Sequence, residues 1–172
     1  MTIFQSPLPI RPSASLCIIA LGSNQGDAAQ NIRTAFARLQ SLSDRPLLPS
    51  SLWETAPVDC PPGSPMFINA IAAFEPRAAE TPQTLLARLQ ALEKELGRPP
   101  KKIHNEPRPI DLDLIAFGQH IINTPELKLP HPRAHQRRFV LQPLSEIAPA
   151  YILPNQSKSV SELLRNMESK TG

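Results

Sequence analysis

Pro107-Arg108-Pro109-Ile110-Asp111-Leu112-Asp113-Leu114-Ile115-Ala116-Phe117-Gly118 reads as a strand entered through a proline-fixed loop and left through a glycine. Its residues alternate. Asp111, Asp113, Ile115 and Phe117 point one way, and Leu112, Leu114 and Ala116 point the other. Side chains two apart on a strand are separated by roughly 6.5–7 Å, so both carboxylates project together from the start of an otherwise apolar strand. Like charges beside a core are costly unless a cation sits between them. Two readings of the pair stay open. One is a site for Mg²⁺, a hard cation that takes carboxylates and substrate phosphates. The other is a strand end whose carboxylates only face water.

The surrounding chain of 172 residues is long enough for one domain with one real core. Aromatic residues make up only 5% of it, so that core must be aliphatic. The 21 prolines predict rigid connections rather than a low-complexity segment. Cys17 and Cys60 suit neither a disulfide framework nor a zinc site. No basic stretch followed by an apolar run opens the chain, and no apolar run is long enough to cross a membrane. The expectation is a cytoplasmic, reduced protein with no membrane partner. The net charge of +3 says less than its distribution. Arg98, Lys101, Lys102 and Arg108 precede the aspartate strand, and His131, Arg133, His135, Arg137 and Arg138 follow it. Two basic clusters around one acidic pair predict a polyanionic partner, either a nucleotide or a nucleic acid. A nucleic-acid surface on such a sheet needs aromatics for stacking, and their scarcity argues against it.

Residues 1–15 read as a loosely ordered N-terminal extension, and 16–172 as a single domain. Leu16 to Leu21 is a short apolar run that predicts a central strand. The turn after it lacks the Gly-Lys-Ser/Thr of a phosphate-binding P-loop. Asp27 is placed to cap a helix over 28–42. Pro49 to Thr55 predicts a second strand. A stiff proline-rich loop and a third strand, Met66 to Phe74, follow. Asn69 is the strongly polar residue in that third strand, paired either with backbone or with a polar ligand. Thr81-Pro82 opens a helix striped by Leu85, Leu89, Leu92 and Leu96 and ended by Gly97. Gln90 and Glu93 share a face beside the stripe. His120 to Ile122 predicts a short strand in a hairpin with the aspartate strand. Helical segments follow over Gln136 to Ile147 and around Val160, Leu163, Leu164 and Met167. The order is β-α-β-β-α-β. It predicts a ferredoxin-like α+β sandwich with a mostly antiparallel sheet, two helices on one face and long active-site loops.

Several segments together resemble the 6-hydroxymethyl-7,8-dihydropterin pyrophosphokinases of folate biosynthesis, over roughly residues 16–150. The most specific is Pro107-Arg108-x-Ile110-Asp111-Leu112-Asp113-Leu114, followed by Leu129-Pro130-His131-Pro132-Arg133 and the run from Arg137 through Phe139 to Pro149. Leu21-Gly22-Ser23-Asn24, Thr55-x-Pro57, Phe67-x-Asn69-Ala70 and Leu92-Glu93 with Leu96-Gly97-Arg98 support it in the same order.

The resemblance implies transfer of a pyrophosphoryl group from ATP to the hydroxymethyl group of the dihydropterin, with release of AMP. It implies Mg²⁺, two ions, held by Asp111 and Asp113. It assigns catalytic roles to Arg98, Arg108, Asp111 and Asp113. The ATP contacts it implies are Gln90, Glu93, Arg98, Arg108, Leu114, His131 and Arg137. Those to the pterin are Thr55, Ala56, Val58, Phe67, Asn69, Asp111 and Phe139, with the two phenylalanines sandwiching the ring. ATP and the dihydropterin are the expected partners of a monomer. The loop before Arg108 departs from the family. Asn105 stands where tryptophan is usual, Glu106 where glycine is, and Pro100 replaces an arginine. That departure motivates the alternative of a catalytically weak pterin- or nucleotide-binding module.

Overall fold

The computed structural model describes residues 16–57, 60–100 and 106–171. Val58, the 101–105 loop with Asn105, and residues 1–15 lie outside that set.

The central strand β1 (Cys17–Ser23) pairs antiparallel with β4 (Phe67–Phe74) on one side and with β5 (Asp111–Phe117) on the other. The outer edge of β4 carries two short strands in tandem, β2 (Leu48–Pro49) and β3 (Trp53–Thr55). Helix α1 (Ala28–Gln40) links β1 to this edge, and α2 (Pro82–Glu95) links β4 to β5. This is the ferredoxin-like arrangement, antiparallel throughout. Asp27 caps α1 by accepting from Gln30 N at 3.2 Å. Thr81 and Thr84 cap α2 reciprocally. Both helices pack on one face of the sheet, where Ile32, Leu39, Leu85 and Leu89 meet Cys17, Ile19, Leu21 and Leu112.

Helix α3 (Arg138–Ile147) and the terminal helix α4 (Val160–Thr171) cover part of the opposite face. There Val140, Leu141 and Leu144 bury Ile18, Ile71 and Ile115. The rest of that face stays open, and it is the end of the sheet where Asp111 and Asp113 project.

Three local expectations change. The second strand is not continuous. It breaks between Pro49 and Trp53, where Ser50 Oγ takes the Ile71 N–H at 2.8 Å in place of a backbone partner. The 120–122 segment makes no hairpin with the aspartate strand. Instead β6 (Ile122–Asn123) pairs with β7 (Lys128–Leu129) in a separate ribbon. The alternation of the aspartate strand also inverts part-way. Ile19 lies opposite Leu114 but Ile18 lies opposite Ala116, so Ile115 is the extra residue of a β-bulge. As a result Ala116 joins the α3 side with Ile115, and Phe117 joins Leu112 and Leu114 beneath α1 and α2.

Candidate active site

The floor of the site is a strip of sheet. Asp111 lies opposite Gly22, and Gly22 lies opposite Asn69 on the next strand. Asp113 lies opposite Ala20 one pleat further in. Small residues on β1 therefore leave room between the carboxylates and the Asn69 amide. The room is tight at Gly22, where an added Cβ would come within 3.2 Å of Asn69 Oδ1. A cleft of about 730 Å³ stands on this floor. Its walls are Thr55, Ala56 and Phe67 on one side and Phe139 with Arg137 on the other, and Arg98 and Arg108 lie near the carboxylates.

Each polar group has an identifiable support. Asn69 Nδ2 donates to Thr55 Oγ1, which leaves its Oδ1 as the acceptor over Gly22. Asn24 staples the incoming loop: its side-chain Oδ1 accepts from Arg108 N at 2.9 Å, and its N–H donates to Arg108 O at 3.2 Å. Arg108 then lies over the Phe67 ring at 5.4 Å, and Arg137 lies over Phe139 at 5.3 Å. Among the described residues, the buried Arg108 Nε has no hydrogen-bond partner. Arg98 Nη1 donates to Glu93 Oε2 at 2.5 Å and to Asp111 Oδ1 at 2.8 Å. Glu93 Oε2 also accepts from Leu112 N at 2.9 Å, so one carboxylate on α2 fixes both the arginine and the strand.

The electrostatics separate the two aspartates. Asp111 has the Arg98 guanidinium on it. Asp113 is more enclosed: burial, then the Asp111 and Glu93 charges, push its carboxyl up to about 7, and Arg137 and Arg108 offset only part of this. Burial, with Arg137 and Arg133 nearby, pushes His131 down to about 4. Its Nδ1 accepts from Arg133 N at 3.2 Å, which fits a neutral imidazole.

The residues singled out in the sequence thus fall into three groups. Thr55, Ala56, Phe67, Asn69, Arg98, Arg108, Asp111, Asp113, Arg137 and Phe139 line one cleft. Glu93 stands behind Asp111, and His131 is held beside the cleft by its backbone bond to Ile115 O at 2.9 Å. Gln90 lies exposed on α2, and the Leu114 side chain packs in the core beneath α1 and α2. Neither of these two is among the cleft-lining residues. The cleft also brings in Cys60, Arg133, Gln136 and Arg138. Both arginines belong to the basic cluster that the sequence predicts will meet a polyanion beside the aspartates, although neither is singled out there as a site residue.

Among the described residues, no group of three or more His, Cys, Asp or Glu side chains could hold a metal. The donor set nevertheless fits Mg²⁺. Asp111 and Asp113 are hard oxygen donors on one strand face, and an ion of this kind completes its shell with water and substrate phosphate. The like charge that raises Asp113 is the charge a divalent cation would relieve. Among the described residues, no helix is long and apolar enough to cross a membrane.

Five arginines over two strand-borne carboxylates, beside a slot walled by two phenylalanines, define a site that handles phosphates next to a flat ring. The chain belongs to the 7,8-dihydro-6-hydroxymethylpterin-pyrophosphokinase family, whose model matches residues 18–149. It is 37% identical over 147 residues to the 2-amino-4-hydroxy-6-hydroxymethyldihydropteridine pyrophosphokinase of Pseudomonas aeruginosa, covering 85% of this chain and 88% of that one. It is 36% identical to the protein of the same name from Haemophilus influenzae, with 86% and 89% covered. Among solved structures, a wild-type Plasmodium falciparum HPPK-DHPS superposes with a TM-score of 0.73 over 91% of this chain, at 13% identity. That likeness is one of fold, and the present chain spans 45% of that longer protein.

Proposed function

We propose that this chain transfers the terminal pyrophosphoryl group of ATP to the hydroxymethyl oxygen of 6-hydroxymethyl-7,8-dihydropterin, releasing AMP, as a step of folate biosynthesis. The observation that carries the reading is the shared strand face of Asp111 and Asp113 beneath Arg98, Arg108 and Arg137. Membership of the pyrophosphokinase family favours the enzyme over a weak binding module.

The reaction joins the hydroxymethyl oxygen to the β-phosphorus and breaks the bond from that phosphorus to the oxygen bridging it to the α-phosphate. AMP departs with the bridging oxygen, and the hydroxyl proton leaves to water. The protein's part is positioning and charge. Asn69 Oδ1, fixed by the Thr55 bond, accepts from the amide-rich edge of the pterin, and Phe67 and Phe139 flank the ring. Arg108 and Arg137 are each stacked on one of those rings. They therefore stand at the junction of ring and phosphates, with their side-chain entropy already reduced. Arg98 holds Asp111 in place and lends its remaining donors to phosphate oxygens. His131, neutral at physiological pH, supplies a hydrogen bond rather than a charge. Mg²⁺ held by Asp111 and Asp113 would neutralise charge over the phosphates and lower the pKa of the hydroxymethyl group. We read the active species as a monomer.

Replacement of Asp113 tests the assignment. Asp113→Ala abolishes turnover, by about 10³-fold or more, while circular dichroism and thermal unfolding remain those of a folded protein. Turnover near the wild-type rate in a folded variant contradicts it.

A further inference from the structure

Where the edge of the sheet breaks between β2 and β3, one carboxylate closes the gap. Glu146 accepts from Ser51 N at 3.3 Å, from Ser51 Oγ at 2.6 Å and from Trp53 Nε1 at 2.7 Å. It stands on α3, seven residues after Phe139. Seven residues are about two helical turns, so the two side chains share one side of the helix. That side presents Phe139 to the cleft and Glu146 to the edge strand.

The strand end of the link reaches the same cleft. Trp53 lies opposite Asn69 and Thr55 lies opposite Phe67. Thr55 Oγ1 is the partner that orients the Asn69 amide. β3 is three residues long and pairs only with β4 among the described strands. A strand so short has little ladder of its own to hold it. Three donors of β3 and its approach converge on Glu146.

We propose that Glu146 is a positioning residue for the flat ring: by tying α3 to β3 it sets the separation of Phe139 from Phe67 and the angle of the Thr55–Asn69 pair. This rests on the pterin reading of the cleft. The phosphate-facing Arg98 and Arg108 sit on segments that Glu146 does not touch. Its removal therefore widens the ring slot and leaves Arg98 and Arg108 in place. Among the ATP contacts Arg137, stacked on Phe139 at the head of α3, moves with that ring, so the effect on ATP is the smaller one.

The test is steady-state kinetics on Glu146→Ala, Glu146→Gln and Trp53→Phe, with pterin and ATP varied separately. Trp53 is the single tryptophan of the chain, so its emission reports the contact directly. Glu146→Ala is expected to raise KM for the pterin about fivefold while KM for ATP stays within about twofold. Its Trp53 emission shifts as the Nε1 partner is lost. Glu146→Gln keeps one carbonyl oxygen as acceptor and recovers most of the pterin affinity. Trp53→Phe removes one of the donors without disturbing α3 and falls between them, and it decides the matter if Glu146→Ala does not fold. KM values for both substrates that rise together, or a pterin KM that does not move in folded variants, overturn the positioning role alone. A wild-type protein that turns over ATP without regard to the pterin overturns the functional reading on which the role rests.

Discussion

Arg98 and Asp111, thirteen residues apart in sequence, meet through a 2.8 Å bond from Nη1 to Oδ1, and the same nitrogen reaches Glu93 Oε2 on α2. One guanidinium thus anchors the start of the aspartate strand to the helix behind it. The group is only partly exposed, 22% for Arg98 against 14% for Glu93 and 27% for Asp111. Removing the arginine would leave two carboxylates facing each other with no cation. Arg98→Ala is expected to lower kcat/KM by about 10²-fold and stability by about 1–2 kcal/mol. Arg98→Lys keeps the charge but loses the fork, and restores stability more than activity. Turnover assays alongside thermal melts check this. Equal recovery of both by lysine contradicts the bridging role.

Asp113 and His131 give the protein two opposite responses to pH. The Asp113 carboxyl, raised to about 7, binds a proton in the folded chain that the unfolded chain has released, so its contribution to stability is present below about pH 4 and lost as pH rises to 7. His131, lowered to about 4, binds its proton more readily when unfolded, so its contribution is present above about 6.5 and lost as pH falls towards 4. The windows overlap, and single variants separate them. Asp113→Asn raises Tm over the wild type at pH 8 and matches it near pH 4. His131→Gln loses less stability than the wild type between pH 6.5 and 4.

The same proton competes with a cation. Because a carboxylate ligand must be deprotonated to bind metal, the rise in Tm produced by Mg²⁺ is expected to grow between pH 5 and 8. It disappears in Asp113→Asn. A pH-independent Mg²⁺ effect, or one that survives in the variant, places the ion elsewhere.

Gly22 is needed for the room it leaves. Its backbone carries no strain, so Gly22→Ala is tolerated by β1, but the new Cβ meets Asn69 Oδ1 at 3.2 Å. The displaced amide is expected to raise KM for the pterin about tenfold with little change for ATP. Separate titrations of the two ligands measure this.

Much of this architecture is legible in the sequence because its signals are local. The caps at Asp27 and Thr81, the leucine stripe of α2 and the two aspartates each specify their own element. What was not legible depended on contacts between distant segments. The bulge at Ile115 leaves no mark in a run that is apolar on both faces. The break at Ser50 is sustained by a serine hydroxyl and by Glu146, some ninety residues away. Arg133 and Arg138 read as cations of a basic cluster, and only the turn of chain into α3 brings them to the cleft. Leu114, by contrast, sends its side chain into the opposite core as the strand's alternation predicts, and it was the resemblance that gave it an ATP contact.

Which bond of ATP is broken defines the activity, and nucleotide analysis reads that directly. The protein is incubated with ATP, Mg²⁺ and 6-hydroxymethyl-7,8-dihydropterin, and the nucleotides are separated by anion-exchange chromatography. The expected result is AMP, formed only when the pterin is present and in equal amount to a pterin carrying two phosphates. ADP as the product, or AMP formed equally well without the pterin, would contradict it.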